Sequence, residues 1–140
     1  MTDDVAQAGR QLAAIWWLDR HAEEAKRATA DPALKQAWEL ARRNIDTRAV
    51  ALERACLTTP ATSLEGALAQ VIVAINEMGD LKENEITQQR AEQLGGRIIA
   101  TLFSIKAVIE SEAGLNGEEF AASQYAPDYL DPHRKRESAA

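Results

Sequence analysis

The chain has 140 residues, a formal net charge of −6 and a pI near 5.0, a length that suits one domain around one core. That acidity argues against nucleic acid as a partner, because phosphate binding draws on a basic surface. The 46 % hydrophobic content is inflated by 27 alanines, which favour helix but bury little area, so the core must rest on scattered Leu, Ile, Val and Trp.

A first helix is expected from about Asp3 to Ala28. Acidic residues at its start suit the helix dipole, and Val5, Ala8, Leu12, Ile15, Ala22 and Ala25 recur at three- and four-residue steps with one gap near Asp19. Glu23 and Arg27 form an i,i+4 pair on its outer face. Asp31-Pro32 restarts the helix, Asp as cap and Pro at the first helical position, where its missing N–H costs nothing. The second helix runs to about Leu57, with Leu34, Trp38, Ala41, Ile45, Leu52 and Cys56 as its buried stripe and Glu39–Arg43 paired outside. So short a link at Thr29-Ala30-Asp31 makes the first two helices an antiparallel hairpin.

Thr58-Thr59-Pro60-Ala61 breaks the chain. Thr62-Ser63-Leu64-Glu65 then fits a capping box, with Thr62 as cap and Glu65 reaching back. The third helix is expected from Ser63 to about Met78, with a heptad stripe of Leu64, Leu68, Val71, Ile75 and Met78 that Ile72 and Val73 widen until Gln70 is nearly the only polar break. Such a helix should be buried on most sides. Gly79 would end it in a left-handed conformation, and Asp80 would cap the next helix.

The fourth helical region, about Leu81 to Ala113, divides at Gly95-Gly96, for which a kink, a break and a close crossing are all open readings. Its first half is polar and its second half is dense in Ile98, Ile99, Leu102, Phe103, Ile105, Val108 and Ile109. Unbroken, it would span roughly 50 Å against about 24 Å for the third helix. That mismatch leaves apolar surface to be covered by the first hairpin or by another subunit. Gly114-Leu115-Asn116-Gly117 closes the bundle domain (residues 1–114), and residues 115–140 read as a flexible, mostly disordered tail with one short helix between Glu118 and Gln124.

The residues that carry chemistry elsewhere are sparse. Cys56 excludes an intramolecular disulfide and reads as a small buried hydrophobe. His21 and His133 lie far apart, no Glu-x-x-His occurs, and one cysteine gives no zinc spacing. No nucleophile elbow or phosphate loop appears. Glu23-Glu24 and Glu118-Glu119 are adjacent acids, which point about 100° apart on a helix and form no dyad by themselves. No catalytic residue, metal or cofactor is expected. The acidic Met1-Thr2-Asp3-Asp4 is unlike a signal sequence, and no apolar run reaches the ~20 residues of a membrane span. A cytoplasmic protein without membrane contact is the expectation.

Three features remain for binding. Trp16 and Trp17 are adjacent, so one should enter the core while the other lies half buried near Trp38, and Trp17 is the candidate hot spot. Phe120, Tyr125 and Tyr129 in the tail form a candidate partner-binding motif, followed by the basic run His133-Arg134-Lys135-Arg136. Ile86 to Gly95 resembles the first helix and turn of helix-turn-helix repressors, but Ala91 and Leu94 come four and seven residues after Thr87 where the motif has five and eight.

The segment Thr59-Pro60-Ala61-Thr62-Ser63-Leu64-Glu65-Gly66-Ala67-Leu68-Ala69-Gln70 resembles a linker and helix start of small helical bacterial proteins. That resemblance implies a capped helix in which Gly66 allows close packing, and carries no function. The expectation is an all-α antiparallel four-helix bundle of two hairpins, with a homodimer through helices three and four. Its function would be non-catalytic protein–protein interaction or regulation. The alternatives are a DNA-associated regulator resting on residues 86–95 and a small-molecule enzyme with a site inside the bundle.

Overall fold

The computed structural model describes residues 2–83 and 85–134. Four long helices make up the body: α1 (Asp4–Ala28), α2 (Pro32–Thr58), α3 (Leu64–Glu83) and α4 (Gln88–Ala113). α1 packs on α2 and α3, and α4 packs on α3 and α2. No strand occurs among the described residues.

The first two helices begin where their caps lie. Asp3 accepts from the N–H groups of Val5 and Ala6, and Asp31 accepts from Ala33 ahead of Pro32. Ion pairs then zip α1 to α2 in opposite chain directions, Arg42 to Asp19 at 3.0 Å and Lys26 to Glu39 at 2.6 Å. Glu39 thus takes Lys26 of the facing helix rather than Arg43 of its own, whereas the Glu23–Arg27 pair forms as expected. The buried residues of α2 are Ala49, Cys56 and Leu57, all in its second half; Leu34 is exposed.

The core gathers Val5, Leu12 and Ile15 of α1, Ala49, Cys56 and Leu57 of α2, Ala67 and Val73 of α3, and Val108 of α4. It is tied together by polar groups at the end of α2. The last carbonyls of a helix have no partner within it. Here Gln70 Nε2 donates to the Cys56 and Thr59 oxygens at 2.9 and 2.8 Å. Thr101 Oγ1 donates to Leu57 O at 3.0 Å, and Ala61 N–H donates to Ser104 Oγ at 2.8 Å. Two helices therefore clasp the end of a third.

Three boundaries differ from the sequence expectation. Ser63, not Thr62, caps α3: its Oγ accepts from Gly66 N–H, while Thr62 N–H and Ser63 Oγ both donate to Asp3. Glu65 does not reach back but pairs with Arg10 of α1. α3 also runs through Gly79 to Glu83, and Thr87 caps α4; tertiary packing outweighs the ~1 kcal/mol a helical glycine costs. α4 is continuous across Gly95-Gly96, and a Cβ at either would meet nothing within 4 Å, which removes both the break and the close crossing. The close approaches are elsewhere. A Cβ at Gly9 would stand 2.7 Å from Ala69 Cβ, and one at Gly66 would strike the Asp3 carboxylate. α1 and α3 can touch only because these positions are small.

Gly114, left-handed at φ 64°, ends α4 as expected. Beyond it the chain forms three short turns, Gly117–Phe120, Ala122–Tyr125 and Asp128–Leu130, the first two lying where the short helix between Glu118 and Gln124 is expected. His133 Nε2 donates to Ala100 O at 2.9 Å, so residues 115–134 double back along α4. Residues 135–140, including the end of the basic run, lie outside the described residues.

Candidate interaction surface

α3 is turned opposite to its expected orientation. The heptad stripe Leu64, Leu68, Val71, Ile75 and Met78, with Ile72 beside it, faces outward; Leu68 is 59 % and Ile75 66 % exposed. The inward face carries Gly66, Ala67, Gln70, Val73 and Glu77. Three of the five have a specific reason to be there: Gly66 admits Asp3, Gln70 caps α2, and the Glu77 carboxylate meets Arg90 and Arg97 of α4 at 3.7 and 4.0 Å. A buried carboxylate needs such partners. Polar demands inside have displaced the larger apolar side chains to the outside.

Beside this stripe, between α1 and α3, lies a groove of about 550 Å³. Gly9, Ala13 and Trp16 form one wall, and Leu68, Ala69 and Ile72 the other. Its lining is mostly apolar, with Arg10 and Glu65 paired at the rim. Glu53 also borders it, and burial together with the charges of Glu77, Asp46 and Asp80 raises the Glu53 pKa above the ordinary glutamate value. The sequence predicts one of the two adjacent tryptophans in the core and the other half buried; Trp16 is instead 45 % exposed and belongs to this groove.

Trp17 is 68 % exposed and sits away from the groove lining. Its ring stacks on His21 at 6.3 Å, and His21 meets the edge of Trp38 at the same distance, a geometry normal for aromatic pairs. Neither adjacent tryptophan enters the core. Phe120, Tyr125 and Tyr129 are exposed as well. Tyr125 lines a second cavity of about 270 Å³ with Ile99, Leu102, Phe103, Lys106 and Leu130. Tyr125 thus belongs to the α4 side and Trp17 to the α1–α2 hairpin, so these two candidates do not form one site. The stripe on α3 was legible as a stripe; its outward direction was not.

Cys56 is fully buried, and desolvation, helped by the Asp3 charge, lifts its thiol pKa to about 11, far from a nucleophilic thiolate. No group of three metal-ligating side chains occurs among the described residues. The segment 86–95 holds a helix start at Thr87 but no turn at Gly95, so the second helix of a helix-turn-helix does not exist there. Among the described residues no helix is long and apolar enough to cross a membrane. No family model, curated protein or solved structure matches the chain.

Proposed function

We propose that this chain is a non-catalytic helical interaction protein, an antiparallel four-helix bundle that presents the outer face of α3 to a protein partner. The observation that carries this reading is the row Leu64, Leu68, Val71, Ile72, Ile75 and Met78, all exposed on one helix. Fully burying such a side chain is worth about 1.5–3 kcal/mol, so each half-exposed member holds back roughly 1 kcal/mol that a partner would recover. Contiguous apolar faces of this kind are unusual on monomers and common at interfaces. Trp17, Phe120, Tyr125 and Tyr129 are secondary contacts in this reading. Its setting is the cytoplasm, in keeping with a single buried thiol.

The test is capture of binding proteins by the full chain and by Ile75→Glu. A stoichiometric protein partner, another protein or a second copy, held by the parent and released by the variant is the expected result. Equal capture by both, or none by either, would count against the reading.

A further inference from the structure

Resting on that reading, we infer that the occupant of the α3 face is a second copy of this chain, packed antiparallel along α3 with Val71 near the two-fold axis. Three observations lead to it. The first is spacing. Leu64, Leu68, Val71, Ile75 and Met78 follow each other at steps of four, three, four and three residues, the repeat of a helix that meets another helix along its length. Helices buried in globular cores carry broader stripes, and the core side of α3 carries none of these residues. Such a seam is self-complementary under two-fold symmetry, where one patch serves both sides.

The second is area. A standard interface takes roughly 600–1,000 Å² from each partner, and in homodimers about 65 % of it is apolar, or roughly 400–650 Å². The six exposed side chains of α3 and the neighbouring Trp16 offer on the order of 400 Å² at their observed exposures, taking ~100 Å² per aliphatic and ~200 Å² for tryptophan when fully exposed. The groove between Gly9, Ala13 and Leu68, Ile72 gives the other copy's side chains a hole to enter.

The third is charge, which selects the direction. Between Glu65 and Asp80 the only charged residue is Glu77, and it is buried and turned toward Arg90 and Arg97. Nothing on the seam repels a copy of itself. The next seam position after Met78 is Lys82. Parallel packing would set Lys82 against its own equivalent. Antiparallel packing carries it toward the Glu65 end of the other copy and places Leu64 opposite Met78.

Light scattering on the full chain at micromolar concentration should give twice the chain mass. Ile75→Glu should weaken self-association at least thirtyfold, the loss of a hot-spot residue, with its helical circular dichroism retained; Leu68→Glu is a second variant should the first misfold. Mixing Leu64→Cys and Met78→Cys chains under oxidation should give the mixed disulfide dimer, with Cys56 too buried to compete. A monomer, or a dimer indifferent to both glutamates, overturns the inference, and disulfides of Leu64→Cys with itself overturn the antiparallel arrangement. If the chain is monomeric, binding of an apolar dye separates the two claims. Dye lost in Ile75→Glu leaves an interaction face whose occupant is another protein, whereas no dye on α3 removes the face as well.

Discussion

α3 and α4 meet the same problem in different ways. Both turn polar groups inward to clasp the end of α2, Gln70 from one and Thr101 and Ser104 from the other. Both carry large apolar residues outside as a result. On α4, the chain's own C-terminal segment shields part of them: Tyr125, Ala126 and Leu130 line a cavity with Ile99, Leu102 and Phe103, and His133 bonds back to Ala100, although Leu102 stays 58 % and Ile99 42 % exposed. On α3, Leu68, Ile72 and Ile75 remain exposed among the described residues. The lesson is that an inward polar clasp fixes where apolar surface emerges, and that the described C-terminal segment shields part of that surface on α4.

The strongest way to break this comparison is to remove the clasp. Gln70→Leu takes the donor away from two carbonyls at the buried end of α2, and unsatisfied buried acceptors cost about 1–3 kcal/mol each site. A loss of about 2–4 kcal/mol is expected in urea melts. A variant as stable as the parent would mean that the outward turn of α3 has another cause.

Next comes removal of the cover. A chain ending at Gly114 lacks the segment over α4, and α4 should then behave as α3 does. It loses the Gly117 N–H to Glu110 bond as well as the His133 bond to Ala100. The expected cost is about 1–2 kcal/mol, with more dye bound than by the parent. Unchanged dye binding would show that the segment does not shield α4 in solution.

Much of this architecture was legible in the sequence, and the reason it stopped short is specific. Asp3, Asp31-Pro32 and Gly114 announced helix ends through backbone chemistry that acts locally. Gly79 and Gly95-Gly96 carried the same kind of signal and were overruled, because α3 and α4 gain more from staying helical against their neighbours than a glycine costs. The direction of α3 could not be read from periodicity, since a heptad stripe marks a contact face without naming what it contacts. The signal that would have shown it was Gln70 and Glu77 sharing a face with Gly66 and Ala67: a polar pair on a small-residue face points to helix ends and arginines inside. Trp16 and Trp17 are both exposed where the sequence predicts one in the core and one half buried, and only tertiary position makes Trp16 the one that lines the groove.

A smaller effect separates the start of α3 from the rest of the molecule. Burial tends to raise the Asp3 pKa, but hydrogen bonds from Ser63, Thr62, Val5 and Ala6 outweigh it and hold the value below the ordinary 3.8. A carboxylate with a depressed folded pKa stabilises the fold above the unfolded value and loses that contribution as pH falls through the folded value. Asp3→Asn should therefore lower stability by about 1 kcal/mol at neutral pH, and the gap from the parent should shrink once pH drops below 3.8. A gap constant with pH would locate the effect in packing beside Gly66 rather than in charge.

The smallest expected effect strengthens the cover instead of removing it. Ala121 joins two turns of the C-terminal segment in a left-handed conformation at φ 56°, which costs a residue with a Cβ about 1–2 kcal/mol. It holds that conformation because its N–H donates to Glu118 O while its own carbonyl accepts from Gln124 and Tyr125. Ala121→Gly removes the strain but adds freedom to the unfolded chain, so the net gain should be no more than about 1 kcal/mol. That should slow amide exchange at Tyr125 and Ala126 up to about fivefold and leave α3 untouched. If the Tyr125 amide slows and dye binding falls with it, the α4 face is only partly sealed by its tail in the parent. If the amide slows and dye binding stays constant, the dye reads apolar surface beyond the reach of the C-terminal segment, the row on α3 included.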